Sequence, residues 1–282
     1  MSATQAMQAG VEQRVRQELS IKRIVIGLLL AAFSIGTVFA APLYGLLVLS
    51  IALLSAFEFA RLTQRAGAAA SLSVVIPAIF LYIVLSYFHL IDRFESGLIA
   101  IIVLGAMMAA FAAGVDRFTV RWGMTMMAAL YLGKLPAYLV ALRQAHNGGA
   151  FTLWFIIIVA LTDVVGMLVG LRFGRTPLAP KFSPGKTWEG AVGAFIVATI
   201  AGTALGFVPR LGVPWWLGLI FSASVSIAAQ MGDLAESALK RNAQVKDSGQ
   251  LIAGHGGVLD RFDSYFVAGV VAYAVLFFAG RA

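Results

Sequence analysis

Asp233, Ser237 and Lys240 stand at i, i+4 and i+7, while Asp260, Asp263 and Ser264 stand at i, i+3 and i+4. If each set is helical, each presents its groups on one face. Hard divalent cations take oxygen ligands, commonly one or two carboxylates completed by substrate phosphates and water. Asp233, Asp260 and Asp263 are acids of that type. Between the two sets, His255 is followed by Gly256 and Gly257, where the lack of side chains lets backbone amides approach phosphate oxygens. Lys240, Arg241, Lys246 and Arg261 supply positive charge for a polyphosphate, and Asp247 lies beside them. Together these parts fit phosphoryl or nucleotidyl transfer. A second polar stretch, 172–189, carries Arg172, Arg175, Lys181 and Lys186 among three prolines and two glycines. Ser183 and Lys186 are its candidate phosphate or nucleotide contacts, and Trp188 is suited to anchoring the stretch at an interface.

Each of these features also has an ordinary reading. A basic residue beside an apolar run usually marks topology, and a Gly-Gly pair usually makes a turn. His89 and His146 are isolated near the expected outer ends of spans and are expected to carry no chemistry. Acids inside apolar runs are functional candidates by default. Glu58 has Arg61 at i+3, so an ion pair between them is expected. Asp163 has no basic neighbour and precedes Gly166 and Gly170, which allow close helix packing; it is expected to face a polar cavity.

These residues sit in a chain that is 60% hydrophobic and 12% charged, well below the roughly one-quarter charged share of soluble domains. Nine apolar runs of spanning length fall near 24–41, 43–60, 73–91, 97–114, 122–142, 150–171, 190–208, 215–232 and 265–280. They are continuously apolar rather than alternating, which excludes a β-barrel. The expected fold is therefore all-α: one polytopic membrane domain over 1–282, with a tail at 1–22, N-terminal spans over 23–150 and catalytic spans over 151–282. The last of these carry the polar stretches 172–189 and 233–264.

Of the 21 Lys and Arg residues, sixteen fall in the N-terminal tail and on its side of the nine spans. Arg93, Arg143, Arg210 and Arg281 fall on the other side, and Lys134 falls within a span. The positive-inside rule then places the N-terminus and both polar stretches in the cytoplasm. The formal charge of +8 is spread over many loops, unlike the single basic stripe of a nucleic-acid binder, so no nucleic-acid partner is expected. Without cysteine, disulfides and thiolate metal sites are excluded. The polar first 20 residues are unlike a cleaved signal peptide, so the first span is expected to be retained.

Three groups of residues resemble the signature of the phosphatidate cytidylyltransferase (CDP-diacylglycerol synthase) family, in order along the chain. The first is Phe173-Gly174, Pro180-Lys181 and the run Ser183 to Gly190. The second is Gln230, Gly232 and Asp233. The third is Ser237, Lys240, Arg241, Lys246, Asp247 and Gly249, continuing through His255-Gly256-Gly257 to Asp260-Arg261-Phe262-Asp263. The likeness covers roughly 160–270, and more faintly Lys22-Arg23 and Phe57-Glu58. The chain departs from the pattern at Ala253, where the family usually has proline, and at Val165 and Met167, where it has glycine and tyrosine.

The resemblance implies transfer of CMP from CTP to phosphatidate, giving CDP-diacylglycerol and pyrophosphate. It further implies Mg2+ on Asp233 and Asp260, room for a second cation such as K+, and a multi-span homodimer among the lipids of the bacterial inner membrane. Ser237, Lys240, Arg241, Lys246, Asp247, His255 and Asp263 would line the same pocket. Two other readings remain beside it. A transporter would place polar residues near the midplane of several helices and carry an internal repeat, whereas here the charge gathers at one face and no repeat is seen. A lipid-alcohol kinase using CTP or ATP would leave a lipid monophosphate.

Overall fold

The computed structural model describes residues 29, 32–251 and 256–281. Within them the chain forms helices α1 (Ala41–Arg65), α2 (Leu72–Tyr87) and α3 (Ile91–Ala112). Helix α4 (Phe118–Gln144) is π-helical over Leu130–Lys134. After α5 (Gly148–Phe173) come two short strands, β1 (Pro177–Ala179) and β2 (Ser183–Thr187), then α6 (Trp188–Gly206), α7 (Trp215–Asn242) and α8 (Leu259–Phe278). Residues 32–38 are helical as well; the start of the expected first span lies outside the described residues.

Among the described residues, seven helices are long and apolar enough to cross a membrane. The eighth, α2, has 16 residues with Pro77 inside it. It rises about 24 Å, short of the roughly 30 Å hydrocarbon core. The chain is thus an all-α, multi-pass membrane protein, with one addition: β1 and β2 pair antiparallel, Pro177 opposite Thr187 and Ala179 opposite Ser183. The 172–189 stretch is therefore not a plain loop.

The 233–264 stretch also differs from an interhelical loop. Helix α7 has 28 residues, about 42 Å, so it runs beyond the expected end of the span at 232 and carries Asp233 to Asn242 as helix. Helix α8 begins at Leu259, which leaves 243–258 as the connection.

Helices α5 to α8 pack side by side. Trp154 of α5 stacks on Phe221 of α7 at 4.1 Å, and its indole N–H donates to the Gly202 carbonyl of α6 at 2.8 Å. The end of the α5–α6 seam nearer the hairpin is made of glycine. A Cβ on Gly190 would stand 2.7 Å from the Gly166 carbonyl oxygen and 3.2 Å from Gly170 Cα. In lipid, where apolar surface gives no drive to associate, such close backbone contact carries the packing. Helices α7 and α8 approach equally closely at Gly232, whose Cβ would lie 2.8 Å from the Asp263 carbonyl oxygen.

Candidate active site

The close seams between α5 and α6 and between α7 and α8 frame a cavity of about 760 Å3 at the hairpin end of these four helices. Its ionic lining is Asp163 from α5, Lys186 from β2, Asp233 from α7, and Asp260, Arg261 and Asp263 from α8. One wall is apolar. Val164, Met167 and Leu171 line it and are also exposed on the helix surface.

The expected face of α7 forms. Asp233, Glu236, Ser237 and Lys240 follow one another on a continuous helix, and Glu236 and Ser237 are buried. Lys240 Nζ lies 2.5 Å from Glu236 Oε2 and 2.8 Å from Asp260 Oδ1. One ammonium thus bridges two carboxylates from different helices, and Asp233 pairs with Lys186 of the hairpin. Asp260 receives further donors: the Ser248 amide at 3.0 Å and the Gly257 amide at 2.8 Å, both on Oδ2. Both of its oxygens are therefore engaged, and it ties the 243–258 connection to α8. Gly256 adopts φ +85° there, in the left-handed region glycine tolerates. A Cβ on Gly257 would come 2.7 Å from the Gly249 amide nitrogen.

Glu58 departs from expectation. It makes no ion pair with Arg61 among the described residues, and it is fully buried. Its carboxylate accepts the Ser248 hydroxyl at 2.9 Å, the Val258 amide at 3.0 Å and the Leu259 amide at 2.8 Å. A helix of the N-terminal half thus holds both ends of the turn on which Asp260 sits. Glu236 is a further site acid: its i,i+4 spacing to Lys240 and i+3 spacing to Asp233 are visible in the sequence, while its burial is not. Glu189, within the run Ser183 to Gly190, fastens the hairpin to the start of α6: its carboxylate accepts the Arg175 amide at 3.1 Å and the Thr176 amide at 3.2 Å. There Thr187 caps the helix by accepting the Gly190 amide.

The other expected site residues distribute as follows. Asp163 lines the cavity. Arg241 does not line it; its guanidinium donates to the Phe182 and Val245 carbonyls, each at 3.0 Å, clamping the hairpin turn to the connection. Ser183 begins β2, opposite Ala179, and does not line the cavity. Lys246 and Asp247 are exposed and line a separate recess with Arg61 and Arg65. His255 lies outside the described residues.

Asp163, Asp233 and Asp263 share the cavity, and the charge of Asp233 acts on both others. Three carboxylates so placed repel in a low-dielectric setting unless cations balance them. Their oxygen donors fit a hard divalent ion. Among the described residues no three acids or histidines gather tightly enough to hold a metal by themselves. An ion of the Mg2+ kind held by one or two carboxylates has its shell completed by substrate phosphates and water.

Fold and cavity together define a multi-pass membrane protein with an ionic cavity beside an apolar wall. The chain belongs to the Cytidylyltransferase family, whose model matches residues 21–279. It is 36% identical over 155 residues to a phosphatidate cytidylyltransferase of Bacillus subtilis, covering 55% of this chain and 58% of that protein. The corresponding figures for a phosphatidate cytidylyltransferase of Helicobacter pylori are 38% over 131 residues, 46% and 48%. For one of Mycobacterium leprae they are 35% over 152 residues, 54% and 48%. The chain spans about half the length of the curated relatives it matches.

Proposed function

We propose that the protein is a phosphatidate cytidylyltransferase, transferring CMP from CTP to phosphatidate to give CDP-diacylglycerol and pyrophosphate. One observation carries the reading: an ionic cavity whose wall of Val164, Met167 and Leu171 is exposed apolar surface on a membrane-spanning helix. A lipid headgroup and a nucleotide polyphosphate can meet there. The names of the relatives and the matched family support the same choice.

In this reading a phosphate oxygen of phosphatidate bonds to the α-phosphorus of CTP as the α–β phosphoanhydride bond breaks, and the bonding pair leaves on pyrophosphate. The attacking phosphate is already anionic, so no strong base is needed. Lys186 and Arg261 offset phosphate charge at the cavity lining. Lys240 and Glu236 hold Asp260 in place, and Asp260 holds the Gly256-Gly257 turn beside the substrate. Mg2+ at Asp233, with Asp163 and Asp263 across the cavity and Asp260 at its edge, would supply charge neutralisation for the transferred group. A second cation such as K+, a homodimer, the bacterial inner membrane and a cytoplasm-facing cavity belong to the same reading. The first three rest on the family resemblance, and the orientation rests on the basic residues gathered at that end.

The test is to incubate purified protein with phosphatidate, Mg2+ and each labelled nucleotide in turn, identifying the lipid product by mass. A CDP-lipid formed from CTP is expected. A phosphorylated alcohol, or no lipid product at all, would overturn the assignment.

A further inference from the structure

Beside the main cavity lies a recess of about 500 Å3, lined by Arg61 and Arg65 of α1 and by Lys246, Asp247, Ser248 and Gly249 of the connection. The two spaces share a partition. The Ser248 amide donates to Asp260, which lines the main cavity, while the Ser248 hydroxyl donates to Glu58, one helical turn before Arg61 on α1. The recess is therefore joined to the site by hydrogen bonds at its base, of which the one to Glu58 is buried.

Its charge is unbalanced. Arg61 and Arg65 stand at i, i+4 on one helix face, where like charges repel. Among the described residues neither they nor Lys246 form an ion pair; the pairs that form are Lys134 with Glu95, Lys186 with Asp233, and Lys240 with Glu236 and Asp260. Three cations face one acid, Asp247. Topology accounts for basic residues at this end of the bundle, but not for their enclosing a recess together with the signature residues Lys246 and Asp247.

We propose that this recess binds the pyrophosphate moiety of the nucleotide, first as its β and γ phosphates and then as the departing product. The proposal rests on the reaction assigned above. In-line displacement places the leaving group opposite the nucleophile. Ser248 stands between Asp260 of the main cavity and the recess that holds the two guanidiniums and Lys246, so a leaving group that departs past Asp260 meets them. Guanidinium suits this task because its planar fork binds phosphate bidentately.

The experiment uses the full chain with Arg61→Ala and Arg65→Ala combined, and a second form with Arg61→Lys and Arg65→Lys. Inorganic pyrophosphate is titrated calorimetrically into each in the absence of lipid and nucleotide, with potassium sulfate controlling for ionic strength. Its inhibition of CDP-lipid formation and the KM for CTP are measured in parallel. The alanine form is expected to bind pyrophosphate about tenfold or more weakly, with a raised KM for CTP and an unchanged KM for phosphatidate. The lysine form is expected to retain part of the binding. Equal pyrophosphate binding by parent and alanine form, or none by the parent, overturns the proposal. A parent that makes no CDP-lipid yet binds pyrophosphate through these arginines sinks the assigned reaction and leaves the recess standing. If the double variant aggregates, Arg65→Ala alone, in the exposed last turn of α1, carries the same comparison.

Discussion

Glu236 and Lys240 show how strongly a single charge is fixed in this site. The Glu236 side chain is 1% exposed and that of Lys240 14%. An exposed i,i+4 pair contributes only a few tenths of a kcal/mol, whereas removing one partner of a buried pair costs about 3–5 kcal/mol because the other charge is stranded. Lys240→Ala is therefore expected to lower the thermal midpoint sharply and to abolish activity, since Asp260 loses the same ammonium. Adding Glu236→Gln to Lys240→Ala should recover much of the stability and little of the activity. A double variant as unstable as Lys240→Ala alone, in thermal unfolding of the detergent-solubilised protein, would contradict the buried pair. The sequence put Asp233, Ser237 and Lys240 on one face correctly, because helical periodicity is local information. It did not single out Glu236, because burial of an acid is decided by α8 packing over it. It paired Glu58 with Arg61 because both lie on one helix. The partners Glu58 does take are amides and a hydroxyl some 190 to 201 residues away, and hydrogen bonds to a charged group contribute about 1.5–3 kcal/mol each.

At the scale of elements, the apolar runs located the helices α1 to α8, since a span needs continuous hydrophobicity, but α7 runs ten residues past the end of its run at 232. Two features escaped. The hairpin was hidden because three prolines and two glycines are typical of loops, and what fastens it is Glu189 accepting amides at the far end of the stretch. The π-helical turn at Leu130–Lys134 lies just before Pro136, whose missing N–H interrupts the ladder, and it holds Lys134 within 2.5 Å of Glu95. The glycine seam gives a direct test of how elements shape the cavity, because Gly166, Gly170 and Gly190 both line it and set the α5–α6 distance. Gly190→Leu should destabilise by about 1–3 kcal/mol through overpacking and reduce CDP-lipid formation more than tenfold. Gly97→Leu, with nothing within 4 Å of its Cβ position, should change neither. Equal behaviour of the two variants in unfolding and turnover would show that the seam does not set the site.

Across the whole molecule, every residue lining the main cavity lies between Ala160 and Tyr265, so α5 to α8 contain the chemistry by position. That concentration was legible from the sequence, where the polar stretches 172–189 and 233–264 interrupt the apolar spans. The dependence of this half on the other was not, because Glu58 reaches the connection only once α1 packs beside α8. Its buried carboxylate satisfies two backbone amides and a hydroxyl that water cannot reach, and leaving such donors unmet costs about 1–3 kcal/mol each. The N-terminal helices therefore do more than anchor the protein. A chain reduced to 148–282 keeps the whole cavity lining but loses Glu58, and its 243–258 connection should no longer hold Asp260 against the Ser248 and Gly257 amides. It is expected to insert in membranes and to form no detectable CDP-lipid. Co-expression with 1–147 should restore turnover, and co-expression with 1–147 carrying Glu58→Ala should not. A 148–282 chain as active as the full protein, or rescue that ignores Glu58, would show that the C-terminal helices order the site without help from α1.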